Sequence, residues 1–147
     1  MPPQQNQSHM FLIDYYEGAY GPTIHIEART IGQVTYMRDL LLEIAHGSLA
    51  QIELLDLSSI KPDQIESIIL KACGSGKGKS FVRTYSSERQ LRFEWCETPE
   101  GWRYCAGLLD GIVAFGRPSH QYLTDPSADA LIEFSFRESQ DYPTQTY

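Results

Sequence analysis

Hydrophobic and polar positions alternate with period two near both ends of the chain. Phe11, Ile13 and Tyr15 fall on one side of the stretch Met10 to Tyr16, and Ile24, Ile26 and Ala28 alternate with His25, Glu27 and Arg29. Successive side chains of a strand point to opposite faces, so both stretches are predicted half-buried strands. Gly18, Gly21 and Pro22 between them supply turn chemistry and predict an antiparallel hairpin. Towards the other end, Ala130, Ile132, Phe134 and Phe136 alternate with Leu131, Glu133, Ser135 and Arg137, the cleanest strand pattern in the chain.

The period then changes. Val34, Met37, Leu40, Leu41 and Ile44 form a helical stripe, Thr30 stands at capping-box spacing from Gln33, and Gly47 supplies a left-handed stop, predicting a helix over about 31–46. Ile52 to Leu57 is a short apolar run read as a more central strand. Pro62, Asp63 and Glu66 resemble a helix start, with Ile65, Ile68, Ile69 and Ala72 as its apolar face and Gly74 as its end, so a second, short helix is predicted there. Phe81 to Tyr85 and Leu91 to Cys96 flank Ser86 to Arg89 as a hairpin, with Leu91, Phe93 and Trp95 inward. Thr98, Pro99 and Glu100 open a third helix whose buried stripe is Trp102, Cys105, Leu109, Ile112 and Val113, and Gly116 and Pro118 close it. Gly107 and Gly111, four apart on that helix, are places where another backbone can approach closely. Trp95 and Trp102 read as core residues.

The resulting order is ββαβαββαβ without an internal repeat. Alternating strands bury one sheet face and leave the other to water, which predicts an α+β two-layer sandwich: a mainly antiparallel sheet with about three helices packed on one face. The expected layout is a flexible segment over 1–9, a single domain over 10–138 and a polar tail over 139–147. At 147 residues, with two Trp, nine Tyr and six Phe, the chain has enough to build one core and lies outside the disordered class. Apolar runs of about five residues, such as Gly111 to Phe115, fall far short of the roughly 20 that span a bilayer. The first eight residues have neither a basic residue nor an apolar stretch, so no signal peptide is read there and the expected compartment is the cytoplasm. Cys73, Cys96 and Cys105 show no CxxC spacing and are read as buried free thiols, with a Cys96 to Cys105 contact as the alternative.

Charge changes the picture in one region. The net −7 is concentrated in the first half, where residues 1–73 carry 4 basic and 9 acidic side chains, whereas Lys77, Lys79, Arg83, Arg89 and Arg92 face only Glu88. The loop from Gly74 to Ser80 ends in Gly78-Lys79-Ser80 like a phosphate-binding loop. It has Cys73 where that motif needs glycine, and a helix is expected before it and a strand after it, the reverse of the motif. A solvated connector is the favoured expectation, with anion or nucleotide binding at Lys77 and Lys79 as an alternative. If Arg83 pairs with Arg92 across the hairpin, then Phe81, Arg83, Tyr85, Arg92 and Glu94 share an outward face, expected first as a solvated sheet face, next as a surface for a protein partner's hot spots and last as a platform for stacked bases. The acidic balance disfavours nucleic acid.

His120, in a loop bounded by Gly116 and Pro118, is the candidate catalytic residue, with Ser119 adjacent and Asp125 close in sequence. Its duller role is a loop anchor bonding backbone groups. His25 and Glu27 share a strand face at i, i+2, but no third ligand is visible, His9 lies in the flexible start and His46 suits a helix C-terminus, so no metal is expected. No cofactor motif is present. In general layout, a small acidic α+β domain without a complete catalytic set, the chain resembles bacterial immunity or inhibitor proteins that neutralise a toxin. That resemblance implies a non-enzymatic interaction module with a protein partner. The competing expectation is a small hydrolase or transferase using His120 with Asp125 or a cysteine, and an alternating outer face also fits a homodimer.

Overall fold

The computed structural model describes residues 10–19, 21–60, 62–74, 81–86, 88–124 and 128–138. The loop lysines Lys77 and Lys79, and Asp125, lie outside the described residues. Strands β1 (Leu12–Gly18) and β2 (Gly21–Ala28) form the expected hairpin, followed by helix α1 (Ile31–His46). Strand β3 (Gln51–Glu53), a 3-10 turn at Leu54–Leu57 and strand β4 (Ile65–Ala72) complete the first half. The second half repeats that order, with hairpin β5 (Phe81–Tyr85) and β6 (Leu91–Glu97), helix α2 (Pro99–Phe115), then β7 (Ser119–Tyr122) and β8 (Leu131–Phe136).

The result is an α+β fold of two mixed sheets and two helices. Sheet 1 has the order β1-β2-β8-β7 and sheet 2 the order β3-β4-β6-β5. Each joins a hairpin of one half to a hairpin of the other through a central parallel pair, β2 with β8 and β4 with β6. A repeated ββαββ unit, with its halves exchanged between two sheets, is therefore present although no repeat is visible in the residues.

Both helices begin and end where the capping residues place them. The Thr30 side chain accepts from the backbone N–H of Gln33 at 3.1 Å, and the side-chain Oε1 of Gln33 accepts the Arg29 N–H at 2.6 Å. Gly47, at φ 85°, donates its N–H to the last carbonyls of α1. In α2, Thr98 caps Gly101, Pro99 occupies the first turn, and Gly116 closes the helix at φ 70°. Arg38 of α1 reaches Asp110 of α2 at 2.7 Å across the helix pair.

The second predicted helix is instead strand β4. Its register with β6 shifts between Ile65 and Ser67, a bulge that puts both Ile65 and Ile68 towards the core. This spacing of three imitates helical period. Beyond the bulge Ile68 and Leu70 alternate normally, and the Glu53 carboxylate accepts the Ile68 N–H at 2.8 Å. Ile52 to Leu57 divides into a short strand and a 3-10 turn, and β7 appears where a loop is expected.

Phe11, Ile24, Ile26, Leu41, Ile44, Leu54, Ile68, Phe81, Phe93, Trp95, Trp102, Ile132 and Phe134 are among the residues of one buried cluster. Trp95 and Trp102 pack with ring centres 4.8 Å apart. A buried indole N–H needs an acceptor. Trp95 donates to Glu97 at 3.0 Å, and Trp102 donates to the Lys71 carbonyl at 3.1 Å. The cysteine expectation is corrected: Cys73 and Cys96, at the end of β4 and on neighbouring β6, are joined as a disulfide with Cα atoms 5.5 Å apart, and Cys105 is the buried free thiol. Parallel pairing of β4 with β6 creates this contact. Gly107 and Gly111 are exposed, and a Cβ added at either meets nothing within 4 Å, so no other backbone among the described residues approaches them closely.

Candidate functional site

Strand register assembles the outer face of sheet 1. Opposite residues on paired strands share a face, so Asp14 stands beside His25, His25 beside Glu133, Tyr122 beside Glu133 and His120 beside Ser135. Tyr16 completes the group by donating its hydroxyl to Glu133 at 3.0 Å. Burial, the hydrogen bond to Glu133 and the charge of Glu133 raise the Tyr16 hydroxyl to about 12, so it remains a donor. Tyr16 is 40% exposed and Tyr122 43% exposed. Two aromatic rings are thus open to solvent around one carboxylate.

His120 is on edge strand β7 rather than in a loop. Its Nδ1 lies 2.9 and 3.0 Å from the two oxygens of Glu138, just beyond β8. The His120 ring stands edge-on to Tyr122, with centres 5.5 Å apart. A side-chain carboxylate therefore anchors the histidine, in place of the backbone groups expected for a loop anchor. Ser119 is not brought to it, because neighbours on a strand face opposite ways. Ser119 is opposite Phe136 across the β7–β8 pair, and its buried Oγ has no hydrogen-bond partner among the described residues.

A serine–histidine contact does occur elsewhere on this face. His25 Nε2 lies 2.7 Å from Ser135 Oγ. Ser135 is 0% exposed, so no substrate carbonyl reaches that hydroxyl in this conformation. The contact joins residues 110 positions apart and depends on the parallel β2–β8 pair, which no local pattern announces. Glu27 follows His25 on the same face and is buried. Cys105 offers no nucleophile: burial raises its thiol to about 12, far from thiolate at neutral pH, and it donates to the Leu123 carbonyl at 3.4 Å.

The basic hairpin has a different register from the expected one. Arg83 pairs with Phe93 and Thr84 with Arg92, so Arg83 and Tyr85 lie on the face of Phe81, whereas Arg92 points the other way with Val82 and Glu94. On the side of Arg83 and Tyr85, these two residues and Arg89 line a cleft of about 450 Å³ with Tyr15 and Glu17 of β1. Burial raises the Tyr15 hydroxyl, and a hydrogen bond with Arg83 partly opposes that shift. Two cations and two carboxylates, Glu17 and Glu88, line the cleft, so it has no strong bias towards an anion.

No helix among the described residues is long and apolar enough to cross a membrane. Comparison with protein-family models, curated proteins and solved structures finds no match.

Proposed function

We propose that the protein is a two-layer α+β interaction module of immunity or inhibitor type, which meets a basic protein partner with the outer face of sheet 1. The observation that carries this reading is the pair of exposed tyrosines, Tyr16 and Tyr122, around Glu133, with Asp14 and Glu138 on the same side. Tyrosine gives large, stiff contact area at interface hot spots, and carboxylates at the rim speed encounter with a cation-rich surface. His120 belongs to this face, whereas Arg83, Tyr85 and Arg92, the other surface expected from the sequence, are on sheet 2. The hydrolase or transferase alternative has less support. Neither Ser119 nor Cys105 is placed to serve His120 as a nucleophile. The Cys73–Cys96 disulfide is of a kind found in oxidising compartments, which weighs against the cytoplasmic expectation.

The test is affinity capture from source cells with three versions of the protein: unaltered, Tyr16→Ala with Tyr122→Ala, and Val82→Ala at an exposed position of sheet 2. The expected result is one partner retained by the unaltered and Val82→Ala proteins, lost with the tyrosine pair, and released as salt rises from about 0.05 M to about 0.5 M, where charges are screened. Equal capture by all three versions, or capture indifferent to salt, overturns the proposal.

A further inference from the structure

We infer that His120, Glu133 and Glu138 form a binding site for a first-row divalent metal ion, Zn²⁺ foremost. Among the described residues these three bring a ring nitrogen and two carboxylate oxygens within 4.8 Å of one another. Donors around a tetrahedral ion at ~2.1 Å stand roughly 3.4 Å apart, so small side-chain rotations close the set. Two of the three donors are on paired strands: His120 and Glu133 are on adjacent hydrogen-bonded strands, and Glu138 follows β8 by two residues.

The chemistry of the set selects the ion. One imidazole nitrogen with two carboxylates suits Zn²⁺ and Mn²⁺ better than Ca²⁺ or Mg²⁺, which favour all-oxygen shells, and the affinity order of first-row ions puts Zn²⁺ ahead of Mn²⁺. The surroundings also resemble those of a metal centre. Tyr16 donates to one oxygen of Glu133 and holds the carboxylate in place as an outer-shell donor does. The His120–Glu138 contact has 41% and 32% of its side chains exposed. A pair so open to water contributes little, so an ion displaces it at small cost. Three protein donors leave a solvent-facing position for water or another molecule's donor. The inference does not depend on a protein partner, because the isolated chain is the object tested.

The experiment is calorimetric titration of the full, tag-free chain with Zn²⁺, with Co²⁺ absorbance as a second readout of the ligand shell. The unaltered protein is expected to bind one equivalent with Kd at or below about 10 µM, and its Tm to rise with added Zn²⁺. His120→Ala and Glu138→Gln each weaken binding at least ~10-fold and remove the Tm rise, whereas His46→Ala leaves both unchanged. Glu138→Gln preserves shape and keeps the test valid if His120→Ala does not fold. Absence of binding up to about 100 µM Zn²⁺, or one-equivalent binding unaltered by Glu138→Gln, overturns the site.

Discussion

The Cys105 thiol is held in the neutral form by burial, and the Tyr16 hydroxyl by partial burial together with the hydrogen bond to and charge of Glu133, and this makes stability depend on alkaline pH. An unfolded thiol ionises near 9.0, whereas burial in the fold pushes Cys105 up to about 12; Tyr16 moves from 10.0 to about 12. Between those values the unfolded chain gives up protons that the native protein keeps. The stability from these two groups is therefore complete below pH 9.0 and is lost as pH rises from 9.0 towards 12. Urea unfolding at pH 7, 9 and about 10.5 is expected to show a falling midpoint, with a smaller fall in Cys105→Ser, whose hydroxyl keeps a donor for Leu123 without titrating in that range. An equal fall in both proteins would remove Cys105 as the cause. At this scale the sequence is most informative where chemistry is local: Thr30, Gly47, Thr98 and Gly116 announce their caps. His120 is marked by its own residue type and neighbours. Its partner Glu138 is 18 positions away and is brought close only by β7–β8 pairing.

Helix α2 carries a correctable weakness. Gly107 and Gly111 occupy exposed interior turns where glycine costs helical stability and a methyl group meets nothing within 4 Å. Gly107→Ala and Gly111→Ala are each expected to raise unfolding free energy by about 0.5–1 kcal/mol, nearly additively, as read in denaturant midpoints at unchanged slope. By contrast, a Cβ at Gly101 falls 2.5 Å from the Glu97 carboxylate, so Gly101→Ala is expected to be neutral or destabilising. Loss of stability from the first two replacements would show that the glycines have a role beyond the helix. Element type was legible wherever the period was unbroken, as in β2, β8, α1 and α2. It failed at β4 because the bulge after Ile65 inserts a residue and mimics the three-residue spacing of a helix. The same kind of offset, one residue in the β5–β6 register, sends Arg83 and Arg92 to opposite faces.

For the whole molecule, the exchange of hairpins between halves makes every sheet a joint between the two ββαββ units. β2 of the first unit pairs with β8 of the second, and β4 with β6, so neither unit has a complete sheet alone. Periodicity within a segment does not encode such pairing, which is why the two-sheet division and the repeat were hidden while the α+β class and two of the three expected helices were visible. The Cys73–Cys96 disulfide crosses this joint covalently, tying the last strand of the first unit to β6 of the second across 23 residues. Closing a loop of that length in the unfolded chain removes entropy equivalent to about 3 kcal/mol. Reduction, or Cys73→Ser with Cys96→Ser, is therefore expected to lower unfolding free energy by about 2–4 kcal/mol. Two measurements check it: the intact mass of the oxidised protein should rise by about 2 Da on reduction, and its urea midpoint should fall in the same sample. An unchanged mass would show that the thiols are free in the purified protein. A confirmed mass change without a shift in midpoint would show that the joint is held by the β4–β6 pairing and the Phe81, Phe93 and Trp95 core alone.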